Sequence, residues 1–103
     1  MVFGRIVLDD EAYLVVVGFF GRIQVHSKLR GIRRTASLSE RLYLSRITTL
    51  MKANGIFIGP GSRPLIALMR EFANYVLLRG GDAWTLFFRV WSPERWAEHF
   101  SHY

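Results

Sequence analysis

The sequence of 103 residues contains no cysteine. This absence excludes disulfide scaffolds, thiolate nucleophiles, iron–sulfur clusters and the thiolate classes of zinc site. Long apolar segments are also missing, because the longest uninterrupted run, residues 12–21, has about half the length that a membrane-spanning helix needs. That run follows acidic residues rather than a basic segment, so the sequence predicts neither a transmembrane helix nor a signal peptide. We therefore expect a cytoplasmic protein with no membrane partner.

Acidic residues are scarce in the middle of the chain. Between Arg22 and Arg63 there are nine basic residues against one acid, Glu40, so this segment carries +8 while the rest of the chain carries −2. Twelve of the fourteen cations are arginine, whose planar guanidinium suits phosphate and carboxylate groups. The charge distribution therefore predicts a partner that is either nucleic acid, DNA or RNA, or an acidic protein.

Half of the residues are apolar, enough for one core at this length, so we expect one domain over residues 1–103. Residues 2–8 and the β-branched run 12–20 predict two strands. Residues 22–30 alternate between polar and apolar side chains, which predicts a third strand with one face exposed to solvent. That face would carry five polar or basic side chains: Arg22, Gln24, His26, Lys28 and Arg30.

Residues 31–36 predict a basic linker, and the helix signals follow it. Ser37 and Glu40 fit a capping box, so a helix is expected from there to about Ala53, before Asn54 and Gly55. The apolar stripe of this helix is predicted at Leu42, Tyr43, Ile47, Leu50 and Met51.

The rest of the chain predicts at most a short strand at 56–58, a central helix at 64–79, a strand at 82–91 and a terminal helix opened by Ser92 and Pro93. The expected order is β-β-β-α-(β)-α-β-α. This order indicates a two-layer α+β domain with its helices on one face of a mixed or antiparallel sheet.

The basic central segment is the main functional signal. Several cations that meet phosphates together gain affinity by releasing counterions, and this affinity falls steeply with salt. We expect a small, non-catalytic nucleic-acid-binding protein that contacts the phosphate backbone. The predicted contacts are Arg22, Gln24, His26, Lys28, Arg30, Arg33, Arg34, Arg41 and Lys52.

The stretch IFIGPGSRP, residues 56–64, raises a second hypothesis. A phosphate could meet the amides of Gly59 and Gly61, the Ser62 hydroxyl and the Arg63 charge at a helix N-terminus. Pro60 and Pro64 each remove an amide donor, and no Walker A or G-x-G-x-x-G spacing is present, so a rigid turn is the favoured interpretation.

Residues 56–90 also look like the opening strand, helix and strand of Alba-type chromatin proteins, in which an I-G-x-x-P-like loop precedes the helix. Here the loop is longer, and Pro60, Gly61 and Ser62 stand where that family has lysines. Three predicted elements also precede the match, so membership is not assigned.

Few features of the sequence indicate a catalytic site. Asp9 and Glu11 could share a side and hold Mg²⁺ as in a nuclease, but an acidic turn is the commoner meaning of such a cluster. His99 and His102 have helical spacing without a third ligand nearby. We assign no catalytic residue, metal or cofactor.

The aromatic C-terminal region leaves a protein-interaction module open as an alternative. Large rings are frequent from Trp84 to Tyr103, and some could form a homodimer or partner surface. On this alternative the basic segment would meet an acidic protein.

Overall fold

Alternating apolar side chains in the N-terminal third build a four-stranded antiparallel sheet. The computed structural model describes residues 4–78 and 91–103. Consecutive strands pair with one another, so the order across the sheet is the order along the chain. The strands are β1 (Arg5–Asp9), β2 (Tyr13–Val17), β3 (Ile23–Ser27) and β4 (Ile32–Thr35).

The fourth strand corrects the predicted linker at 31–36. Gly31 has a φ of +67° and its amide donates to the carbonyl of Ser27 at 2.9 Å, which closes a tight turn. Ile32 and Thr35 are β-branched and pair with β3, while the two arginines between them stay exposed. A charged strand is typical of the edge of a sheet, where charge discourages pairing with another chain.

The second strand is shorter than predicted. It ends at Val17, and the amide of Gly18 donates to the carbonyl of Arg22 at 2.7 Å. Phe19–Gly21 therefore forms a single 3₁₀ turn between β2 and β3 instead of continuing the strand. As a result, two phenylalanines that the apolar run placed in the core lie at the surface.

Helix α1 (Leu38–Ala53) begins and ends as predicted. The Ser37 hydroxyl accepts from the amide of Glu40, and the Glu40 carboxylate accepts from the amide of Ser37 at 2.6 Å. The buried stripe is displaced from the predicted one, because Leu44 is buried and Leu42 is 61% exposed.

Helix α2 (Arg63–Leu78) is the central helix, as its apolar sequence predicts. It contacts all four strands and also α3 (Pro93–Phe100), which Ser92 caps and Pro93 opens. One hydrophobic core contains side chains of the sheet and of the three helices in the described part of the chain, including Val15, Val25 and Phe72. The α+β class is thereby confirmed.

Two predicted strands have different outcomes. Residues 56–58 form no strand, so the similarity to the Alba-type pattern fails at its first element. The strand predicted at 82–91 falls outside the described residues, except for Trp91, which lies in a bend before Ser92. Within residues 4–78 and 91–103, no helix combines the length and apolar character needed to cross a bilayer.

Candidate nucleic-acid interface

The two faces of the sheet differ in what covers them. Val15 and Val25 lie on the face that joins the core with α2. On the opposite face, which we call the outer face, Leu14 pairs with His26, and His26 pairs with Arg33. Gln24 and Arg33 are exposed there, while Leu14 and His26 are half-buried. The outer face therefore carries the half-buried apolar side chain of Leu14 next to polar and cationic side chains.

The structure brings together only part of the predicted basic strand face. Gln24 and His26 share the outer face as expected, and Arg33 joins them by strand pairing. Lys28 and Arg30 lie instead in the turn after β3, while Arg22 precedes that strand. Six residues of extended chain span about 20 Å, so the cations sit at both ends of the hairpin.

The remaining predicted cations have different settings. Arg34 pairs with Val25, so it lies on the same face of the sheet as the core. It is nevertheless exposed to solvent. Lys52 is exposed on the last turn of α1. Lys28 is engaged, because its ammonium forms an ion pair with the carboxylate of Asp9.

The sheet end next to Arg22 carries an unusual exposed aromatic residue. Phe20 is 99% exposed and its φ is +59°, in the left-handed region that side chains with a β-carbon rarely adopt. This conformation costs about 1–2 kcal/mol. Its neighbour Phe19 is 61% exposed, and the two ring centroids are 6.2 Å apart. Strain of this kind is found where surrounding structure imposes it, often at functional sites.

Arg41 holds this strained turn in place. Its Nη1 donates to the carbonyl oxygen of Phe20 at 3.1 Å. The side chain is half-buried, and its Nε is buried without a hydrogen-bond partner in the described part of the chain. Arg41 was predicted as a surface cation of the helix, but it links α1 to the aromatic turn.

A cleft of about 620 Å³ opens at the same end of the sheet. Its walls come from β1, α1, the 56–61 loop and α2, and they are mostly apolar. Arg5 and Lys52 are the charged residues of its lining, in which the described residues include no acid. This cationic cleft therefore adjoins the end of the sheet where Arg5, Phe19, Phe20 and Arg22 lie. Arg41 of α1 contacts the same end.

The 59–63 loop has the geometry of a tight turn. Gly61 has a φ of +79°, and the amide of Ser62 donates to the carbonyl of Gly59 at 3.0 Å. A β-carbon on Gly59 would meet the far end of the Phe57 ring, an exposed side chain that can rotate away. The positive φ of the turn accounts for Gly61, while Arg63 is exposed where α2 begins.

The acidic cluster after β1 is engaged in local contacts. The Asp10 carboxylate accepts from the amides of Ala12 and Tyr13 and from Nε of Arg70, the last at 2.8 Å. Desolvation raises the pKa of Asp10, but the hydrogen bonds from Arg70 and the two amides outweigh it and hold that pKa below its usual value. Residues 4–78 and 91–103 contain no group of three potential metal ligands.

His99 lies in an aromatic cluster. Although it is exposed at one side, its ring lies 5.5 Å from that of Trp91 and 5.0 Å from that of Phe100, in edge-to-face arrangements. The same cluster includes Trp96, which is buried. These contacts describe a packing role for the histidine.

Phe19 and Phe20 are the candidate site residues that sequence reasoning missed. The available signal was the glycine on each side of the pair, Gly18 and Gly21, which is typical of a turn between strands. Comparison of the chain with protein-family profiles, curated sequences and solved structures finds no match. Function is therefore inferred from the side chains and charges of this chain alone.

Proposed function

We propose that the protein binds nucleic acid by contacting the phosphate backbone, without a catalytic step of its own. The observation that carries this proposal is a set of exposed arginines around the β3–β4 hairpin. In the described part of the chain, Arg22, Arg30, Arg33 and Arg34 are exposed and take part in no ion pair. Such side chains are available to replace the counterions of a phosphate backbone.

The burial of Glu40 strengthens the charge argument. This residue is the single acid between Arg22 and Arg63, it is 3% exposed, and its carboxylate closes the capping box of α1. No exposed acid within residues 22–63 therefore offsets the positive charge of this segment. A surface of this kind attracts polyanions and accelerates their association.

The outer face supports a path between the two groups of cations. Gln24 and His26 offer hydrogen-bonding groups between Arg22 at one end of β3 and Arg30 in the turn beyond the other end. A backbone lying along β3 would pass all four side chains. Arg33, opposite His26, would add a further phosphate contact from the edge strand.

Further contacts are proposed outside the hairpin. Lys52 is exposed and lines the cleft, and Arg63 is exposed at the start of α2, after Gly59, Gly61 and Ser62. A single phosphate of the same backbone could meet Arg63 at the positive end of the helix. This contact is secondary, because the amide of Ser62 already closes the turn.

The salt dependence of binding tests the proposal. Fluorescence anisotropy with labelled DNA and RNA oligonucleotides would give the slope of log affinity against log salt. We expect Arg22→Ala, Arg30→Ala and Arg33→Ala each to reduce the magnitude of this slope by about 0.7–0.9 if each arginine meets one phosphate. The matched control is Arg46→Ala, which removes an exposed arginine that is paired with Glu94. An equal loss in the control would show that only net charge matters and would refute the assigned surface.

A second candidate is a protein-interaction module that binds an acidic partner, and exposed apolar residues in the hairpin favour it. Leu29 is 80% exposed beside Arg30, and Ile32 is exposed on the neighbouring edge strand. An apolar residue rimmed by arginine is typical of a protein interface, including that of a homodimer. Absence of oligonucleotide binding even at low salt would favour this candidate.

A third candidate, a metal-dependent nuclease centred on Asp9 and Glu11, has less support. A metal at Asp9 would have to displace the ammonium of Lys28. Cleavage of an oligonucleotide that requires Mg²⁺ and is lost in Asp9→Ala would establish it.

A further inference from the structure

The aromatic turn at the sheet end adds a stacking surface to the proposed interface. Phe20 is almost fully exposed, so both faces of its ring are open to solvent, and the nearest described ring, that of Phe19, is tilted by 46° rather than stacked on it. A large apolar ring in this position gains nothing from the core. Exposed aromatic rings next to cations are the combination with which proteins bind unpaired bases.

The surroundings of the ring are cationic. Arg22 follows the turn directly and its amide donates to the carbonyl of Phe19 at 3.1 Å, while Arg41 donates to the carbonyl of Phe20. Arg5 pairs with Val17, the last residue of β2, so it lies at the same end of the sheet. Three arginines therefore lie at the end of the sheet that carries the exposed pair of rings, and the guanidinium of Arg41 contacts the turn itself. This arrangement suits a ligand that carries a flat apolar group on an anionic chain.

The turn is held in its strained conformation before any ligand arrives. The hydrogen bond between Gly18 and Arg22 closes the loop, and the Arg41 guanidinium fixes the carbonyl of Phe20. Because the backbone of the turn is already fixed, binding has to order only the side-chain torsions of Phe20, which costs less conformational freedom than ordering a mobile loop. The strain of the left-handed backbone is therefore consistent with a preorganised contact.

We infer that Phe20 stacks on an unpaired base, so that the nucleic acid this protein prefers is single-stranded. The inference rests on the proposed nucleic-acid binding and names its substrate class. A base inside a duplex has neighbours on both faces, so its ring is closed to a side chain unless the helix opens. Arg22 and Arg5 would hold the phosphates on either side of the stacked base.

The test compares single-stranded and duplex oligonucleotides of the same sequence by fluorescence anisotropy. Phe20→Ala should weaken single-strand binding by about 5- to 150-fold, the range that corresponds to about 1–3 kcal/mol of stacking per base. Duplex binding should stay unchanged. Phe20→Trp should restore single-strand affinity, and the control Tyr103→Ala, which removes an exposed aromatic residue after α3, should leave it unchanged. DNA and RNA probes of equal length distinguish the two sources of the base.

An abasic oligonucleotide separates stacking from a general effect on the fold. It keeps every phosphate but offers no base, so it should bind the wild-type protein more weakly than the normal strand does. Phe20→Ala should bind the abasic and normal strands equally. If the variant still distinguishes them as strongly as the wild type does, the ring does not stack on a base.

The remaining outcomes separate this inference from the function on which it rests. If the wild type binds neither single strands nor duplexes at low salt, the proposed function fails and the inference fails with it. If binding is salt-dependent but Phe20→Ala binds like the wild type, only the inference fails. It also fails if Phe20→Ala abolishes sedimentation with vesicles of anionic phospholipid, or abolishes self-association, while oligonucleotide affinity stays unchanged.

Discussion

Comparing alanine with glycine at position 20 measures the backbone strain of the aromatic turn. Both substitutions remove the ring, but only glycine removes the β-carbon that makes a φ of +59° unfavourable. At an ordinary position in regular structure, glycine is less stable than alanine by about 0.5–1 kcal/mol because it gains more freedom in the unfolded chain. We expect the opposite order at Phe20.

The magnitude follows from two opposing quantities. Relief of the left-handed conformation contributes about 1–2 kcal/mol, and the entropy of glycine offsets about 0.5–1 kcal/mol of it. Phe20→Gly should therefore be more stable than Phe20→Ala by up to about 1.5 kcal/mol, with a central value of about 0.75 kcal/mol. In a domain of this size the central difference raises Tm by about 3–6 °C.

Thermal unfolding followed by circular dichroism measures this difference. The matched control is Leu29, which is also exposed and apolar and lies in a turn without a positive φ. At Leu29 the glycine variant should not be more stable than the alanine variant. If alanine is the more stable residue at position 20 as well, the strain does not exist and the turn has another conformation in solution.

Three further predictions concern the fold. Ser37→Ala should lower the free energy of unfolding by about 0.5–2 kcal/mol in urea, because the hydroxyl caps α1, whereas Thr49→Ala in the middle of that helix should not lower it. Phe72→Ala should lower it by about 3–5 kcal/mol, since the ring is fully buried, and a loss below about 1 kcal/mol would contradict the described core. Because the pKa of Asp10 is lower in the folded than in the unfolded chain, its contribution is complete above the unfolded pKa of about 3.9 and is lost as pH falls through the folded value. Arg70→Ala should therefore destabilise the protein most at pH 5–7, with a difference from wild type that shrinks below about pH 4 and not above it.

The candidate interface was predictable as a set of residues but not as a surface. The count of cations between Arg22 and Arg63 identified the basic segment, and the alternation of β3 placed Gln24 and His26 together. Alternation alone also placed Lys28 and Arg30 on that face, because it does not say where a strand ends. The strand ends at Ser27, where Gly31 closes the turn.

Two residues show why the rest of the site required the structure. Phe20 lies in an apolar run that is typical of a buried strand, and its exposure depends on the Gly18 to Arg22 hydrogen bond that turns the chain away from the sheet. Arg41 belongs to a polar stripe of α1, and its contact with the carbonyl of Phe20 spans 21 positions along the chain. Neither contact leaves a periodic signal.

Features that depend on neighbouring residues were predictable from the amino-acid order alone. Ser37 with Glu40, Asn54 with Gly55, and Ser92 with Pro93 set helix ends, because caps act between residues a few positions apart. The excess of basic over acidic residues between Arg22 and Arg63 likewise follows directly from the composition of that segment. Which apolar residues are covered, and which cations are exposed together, depends instead on how the strands and helices pack. Burial and electrostatic fields depend on the elements that lie across a face, and those elements come from distant parts of the chain.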